Sequence, residues 1–136
     1  MKIGAVGLGN RIAHVYHELS QINKDAELIA YVDPLPIGRE YAEKNNFFPR
    51  KEYSSLNEML SNEKLDLLMI GSPNHLHLEH IKIGLNSGIK IFAEKPIVVN
   101  EYQSFELAKL LGEFGEDQVL VGLVLRYSQH ARSVRD

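Results

Sequence analysis

Two polar segments stand at the ends of apolar runs: Ala93-Glu94-Lys95-Pro96, and Gly71-Ser72-Pro73-Asn74-His75-Leu76-His77. A lysine such as Lys95 can hydrogen-bond a substrate oxygen or relay its proton. Near the N-terminus, the apolar run Ile3–Val6 breaks into Gly7-Leu8-Gly9-Asn10-Arg11-Ile12 before a stretch of helical spacing. Backbone in a Gly-x-Gly turn can approach a pyrophosphate closely, and the following helix offers unpaired N–H groups and a positive dipole end. Asp33 closes the next apolar run, 26 residues after Gly7. A carboxylate there can accept two charge-assisted hydrogen bonds from a ribose, each worth roughly 1.5–3 kcal/mol. This is the dinucleotide-binding fingerprint, with Ile12 where the third glycine normally stands. A side chain at that position works against close packing of helix on strand and predicts a slightly shifted helix.

Each feature also has a plainer explanation. Glycine turns join strands to helices without any ligand, Asp33 could simply form a turn, and Glu94-Lys95-Pro96 could be a charged loop whose proline stops a strand. The full context, strand then turn then helix then acid, favours the dinucleotide. The negative charge of Asp33 would repel a 2′-phosphate, so NAD is expected rather than NADP, although Arg11 and Arg39 could approach a phosphate. His75, His77 and His80 invite a metal reading, with His77 and His80 three apart. Without cysteine or a carboxylate partner beyond Glu79, no metal is expected. The loop is instead expected to line the nicotinamide side of the cofactor, with His75 and His80 on the surface.

The elements that must position these residues alternate. Strands are expected at Ile3–Val6, Glu27–Val32, around Phe47 and Phe48, Leu67–Ile70, Ile89–Ala93 and Val119–Leu125. Helices are expected over 11–22 (Ile12, Val15, Tyr16, Leu19 and Ile22 inward), over 37–45, and after a Ser55–Glu58 capping box with Leu56, Met59 and Leu60 inward. Two more follow: 76–86 with Leu78, Ile81 and Leu85 inward and Gly88 at its end, and a helix capped by Asn100 that carries Phe105, Ala108 and Leu111. Short, wholly apolar strands alternating with helices predict a parallel sheet covered on both faces. Right-handed crossovers make it doubly wound, a three-layer α/β/α Rossmann arrangement in the order 3-2-1-4-5-6. Ligands of such sheets bind beyond the carboxyl ends of the strands, where Gly7-Leu8-Gly9, Asp33, Ser72 and Lys95 all fall.

A chain of 136 residues accommodates one domain. The net charge of −3, without a basic stripe, argues against a nucleic-acid partner. No apolar run approaches the roughly 18 residues of a membrane span, no signal peptide is recognisable, and there is no cysteine. A cytoplasmic location is expected.

Taken in order and spacing, Gly7-Leu8-Gly9, Asp33, Ser72-Pro73-Asn74-His75-Leu76-His77, Glu94-Lys95-Pro96 and Arg126-Tyr127 resemble the amino-terminal domain of the Gfo/Idh/MocA oxidoreductases. The resemblance covers essentially the whole chain. It implies that Ser72, Pro73, Asn74 and His77 contact the nicotinamide half of NAD, and that Glu94 touches its ribose. Lys95 would be the catalytic lysine, beside a cis bond to Pro96, and Arg126 would stand near cofactor or substrate at a domain junction. It further implies a Rossmann domain over residues 1–125, with 126–136 leading into a second, α+β substrate domain absent from this chain. The expected activity is hydride transfer between nicotinamide and a sugar, cyclitol or related polyol, the chain alone binding cofactor without turnover. Apolar surface left uncovered would favour self-association, and a homo-oligomer is expected. Two alternatives stay open: an NAD-dependent glycosidase-type relative, and a non-catalytic nucleotide-binding regulatory module.

Overall fold

The computed structural model describes residues 1–123 and Ser133. Six strands form one parallel sheet: β1 (Lys2–Val6), β2 (Glu27–Val32), β3 (Lys51–Glu52), β4 (Leu67–Ile70), β5 (Lys90–Ala93) and β6 (Val119–Val121). Their spatial order is β3-β2-β1-β4-β5-β6, as the alternation of elements predicts. Five helices connect them: α1 (Asn10–Ile22), α2 (Ile37–Lys44), α3 (Leu56–Asn62), α4 (His77–Asn86) and α5 (Glu101–Phe114).

Successive side chains of a strand point to opposite faces, and β4 shows the result. Met69 packs with Ile3, Ala5, Ile12, Ala13 and Tyr16 on the α1 side. Leu68 and Ile70 pack with Leu56, Met59, Ile81, Leu85 and Leu107 on the side of α3, α4 and α5. The sheet is therefore apolar on both faces and needs a helical layer on each. Among the described residues two helix starts carry side-chain caps: Ser55 Oγ accepts from Glu58 N at 3.2 Å, and Asn100 Oδ1 from Gln103 N at 2.8 Å. Each such cap contributes about 1 kcal/mol. The return arm of the expected box is shifted by one residue, because the Glu58 carboxylate receives Ser54 N rather than Ser55 N.

Several expectations need correction. β3 lies at Lys51–Glu52, where it pairs with Ala30 and Tyr31. Phe47 instead packs its ring 4.9 Å from Tyr16, and Phe48 is exposed. Ile22, the last residue of α1, is 86% exposed because the helix has run past the core. On α5 the inward stripe is Leu107, Leu110, Leu111 and Phe114, while Phe105 is 71% exposed and Ala108 also faces out. Leu78 is half-buried and packs against the core with the fully buried Ile81 and Leu85, on an α4 that starts at His77 after a 3-10 turn over Asn74–Leu76. β6 ends at Val121, and residues 124 and 125 of the expected strand lie outside the described residues. Among the described residues no helix is long and apolar enough to cross a membrane.

Candidate active site

Backbone hydrogen bonds carry the ladder one step past the strand ends and align the site. Gly7 N donates to Val32 O (2.8 Å), Gly71 N to Val6 O (2.9 Å), Glu94 N to Ile70 O (2.9 Å) and Gly122 N to Ala93 O (2.8 Å). Along this carboxyl edge lies a cleft of about 320 Å³ lined by Gly9, Arg11, Ile12, Gly71, Ser72, Asn74, His77, Glu94 and Lys95. Segments from three strand ends, far apart in sequence, thus share one concavity at the reversal of strand order.

The glycine turn is shaped by what stands beside it. Gly7 has φ +78°, and a Cβ there would lie 2.3 Å from Ser72 N and 2.4 Å from Gly71 C. Only glycine combines that dihedral with so close an approach. Gly9 differs: a Cβ on it would meet nothing within 4 Å. It also precedes α1 without a side-chain cap, and the first turn carries no acid. The N–H groups that open a helix lack intrahelical partners. An open backbone, helix-opening donors without a side-chain cap among the described residues, and the positive end of a helix fit the pyrophosphate of a dinucleotide.

Ile12, at the third-glycine position, faces the segment that follows β4. It is fully buried, and a Cβ on Gly71 would fall 2.3 Å from its Cγ1. The room that a third glycine would have supplied on the helix is supplied from the opposite strand end. Leu8 is buried as well, with Gly38 of α2 against its carbonyl; a Cβ at Gly38 would overlap that oxygen. Nothing in the spacing of residues signals Gly38.

Glu94 is 7% exposed and meets Arg11, whose Nε donates to Oε1 at 3.2 Å. Lys95 is exposed in the cleft wall, and its bond to Pro96 is cis, as the resemblance implies. Asn10 and Asn74 are exposed at the starts of α1 and the 3-10 turn, and Pro73 is exposed ahead of Asn74. Ser72 is buried, with its hydroxyl 2.8 Å from His80 Nδ1. His80 is therefore not the surface residue expected; it is half-buried, whereas His75 is exposed. Burial holds His80 below the usual histidine range, Glu79 opposing and His77 adding to the lowering. His77 is 1% exposed and lies between the Ser72 and Pro96 carbonyls. Among the described residues no group of three or more His, Cys, Asp or Glu side chains gathers to hold a metal.

Asp33, at the end of β2, does not line this cleft. Its Oδ1 accepts from Leu35 N at 2.8 Å, the turn-forming role. Arg39 is held by the Tyr31 hydroxyl, at 3.0 Å from Nε and 2.7 Å from Nη2, and by an ion pair with Glu52. Burial and then Glu52 push the Tyr31 phenol up. Arg126 lies outside the described residues.

Residues 1–123 match the model of an oxidoreductase family described as having an NAD-binding Rossmann fold. The chain is 26% identical over 137 residues to D-glucoside 3-dehydrogenase of Escherichia coli, covering 100% of this chain and 36% of that protein. It is 22% identical over 130 residues to inositol 2-dehydrogenase of Salmonella typhimurium, covering 95% and 38%. A crystal structure of scyllo-inositol dehydrogenase from Lactobacillus casei with bound NAD(H) and scyllo-inositol superposes with TM-score 0.79 at 23% identity, over 99% of this chain and 39% of that one. The chain thus spans little more than a third of each of these relatives.

Proposed function

The chain belongs to the Gfo/Idh/MocA oxidoreductases, as their NAD-binding Rossmann domain, and from that premise we propose that its cleft holds NAD(H) for the oxidation or reduction of a sugar, cyclitol or related polyol. The observation that carries the reading is the convergence of Gly9, Ser72, Asn74, Glu94 and Lys95 on one cleft beside the uncapped start of α1. NAD, when bound, supplies the hydride acceptor or donor of such a reaction.

The chain's residues take the following roles in this reading. The backbone of Gly7, Leu8 and Gly9, with the first-turn N–H groups of Asn10, Arg11 and Ile12, binds the pyrophosphate. Asp33 keeps one carboxylate oxygen in its turn and offers the other to the adenosine ribose. A 2′-phosphate would meet the Asp33 charge while Arg39 is already engaged by Glu52. That arrangement supports NAD over NADP. Ser72, Pro73, Asn74 and His77 form the wall for the nicotinamide half, and Glu94, oriented by Arg11, accepts from its ribose.

Lys95 is the catalytic residue in this account. Its Nζ polarises the substrate oxygen by donating a hydrogen bond, while the hydroxyl proton passes to a base supplied by chain beyond the Rossmann domain as the alcohol is oxidised, and both steps reverse on reduction. Arg126 and the boundary near residue 125 complete the proposal, with substrate held by chain beyond the Rossmann domain. In the protein that carries this chain, Lys95→Ala should lower kcat about a hundredfold or more while the Kd for NADH stays within about twofold. Parallel losses in kcat and NADH affinity would reassign Lys95 to a structural role.

A further inference from the structure

We propose that His77 is a positioning residue that works as an imidazolium, donating from both ring nitrogens to tie the segments after β4 and β5 together beneath the cleft. Its purpose rests on the cofactor-site reading; its geometry does not. Nε2 lies 2.7 Å from the Ser72 carbonyl oxygen and Nδ1 lies 2.9 Å from that of Pro96. Carbonyl oxygens only accept hydrogen bonds. A neutral imidazole carries one N–H and one lone pair, so either tautomer presses a lone pair against one of these oxygens. At 1% exposure the ring is shielded from bulk solvent, so the two carbonyls are its hydrogen-bond partners. The doubly protonated ring satisfies both carbonyls at once.

The charged and titratable neighbours come from every side. On α4, Glu79 and His80 stand within one turn, and His80 is held below the usual histidine range mainly by burial. From the end of β5 come Glu94 and Lys95, and from α1 comes Arg11, all lining the cleft that His77 also lines. Arg11 is paired with Glu94. The two histidines divide the work on Ser72: a neutral His80 takes the hydroxyl, and a charged His77 takes the carbonyl. Through Pro96 the same ring reaches the turn that carries Lys95. One side chain thereby sets the spacing between the Ser72–Asn74 wall and the lysine, without touching substrate or cofactor through its nitrogens.

The test is two-bond 1H–15N correlation on the histidine-labelled chain at pH 7, with His77→Gln to identify the signals. The proposal predicts two protonated ring nitrogens for His77; a neutral-tautomer pattern overturns it. Glutamine has one amide nitrogen and cannot span both carbonyls. His77→Gln should therefore raise the Kd for NADH about tenfold or more, and His75→Gln, on the exposed side of the loop, should leave it unchanged. A folded His77→Gln that binds NADH like the parent overturns the bracing role. If the parent shows the imidazolium pattern yet binds no NADH, the brace stands and the cofactor reading falls.

Discussion

Replacing Gly9 by alanine separates the requirements of the fold from those of the ligand. Gly9 has φ −72° and ψ 170°, which alanine adopts without strain, and its Cβ would meet no heavy atom within 4 Å. At a helix N-cap, alanine is poorer than glycine by up to about 1 kcal/mol. The stiffer unfolded chain returns about 0.4–1 kcal/mol. The net change in unfolding free energy should thus stay within about 1 kcal/mol. The methyl group instead occupies the approach to the first N–H groups of α1. Losing one backbone hydrogen bond to a charged phosphate costs about 1.5–3 kcal/mol, a rise in Kd of roughly tenfold to a hundredfold. Gly7→Ala is the contrast, because its Cβ would strike the backbone of Gly71 and Ser72 at φ +78° and should prevent normal folding. Urea unfolding with calorimetric titration of NADH reads both quantities. A stable Gly9→Ala chain that binds NADH with the parent's Kd would refute the reasoning, and so would a loss of stability like that of Gly7→Ala.

Three other outcomes follow from single contacts. Asp33→Asn keeps a side-chain oxygen for Leu35 N but removes the charge, so the ratio of NADPH to NADH affinity should rise severalfold in parallel titrations; an unchanged ratio would remove Asp33 from cofactor discrimination. Gly71→Ala drives a methyl into Ile12 and should cost about 1–3 kcal/mol, with a coupling of about 0.5–3 kcal/mol to Ile12→Ala in a double-mutant cycle. His80 is lowered in the folded state, chiefly by burial, so the unfolded chain takes up its proton first. Its contribution is complete above the unfolded value of about 6.5 and is lost as pH falls toward the lower folded value. Unfolding free energies of His80→Gln should therefore show a shallower fall in that window than those of the parent, and parallel curves would contradict the shift.

The strand order and most element positions were legible because buried parallel strands are short apolar runs, and Leu67–Ile70 and Glu27–Val32 have no competing pattern. β3 was not legible: Lys51 and Glu52 are both exposed and charged, and only pairing with β2 makes them a strand, while Phe47 and Phe48 carry a misleading apolar signal. The inward face of α5 is only partly legible: Leu111 packs on the core, but Phe105 is apolar and exposed while Leu107 is buried, and only packing decides between them. In the candidate site, the glycine turn and Lys95 are legible because each follows an apolar run, whereas Ser72 and Glu94 are named through the family resemblance, and Gly9, Ser72, Glu94 and Lys95 line one cleft. The exchange of space between Gly71 and Ile12, and the burial of His80 against Ser72, depend on how separate strand ends meet. No local spacing encodes those contacts.

Calorimetric titration of the folded chain with NADH tests the central claim most directly. The account predicts saturable binding at one site, weakened in Gly9→Ala without matching loss of stability. A chain that is folded by its melting transition yet shows no saturable NADH binding would contradict it.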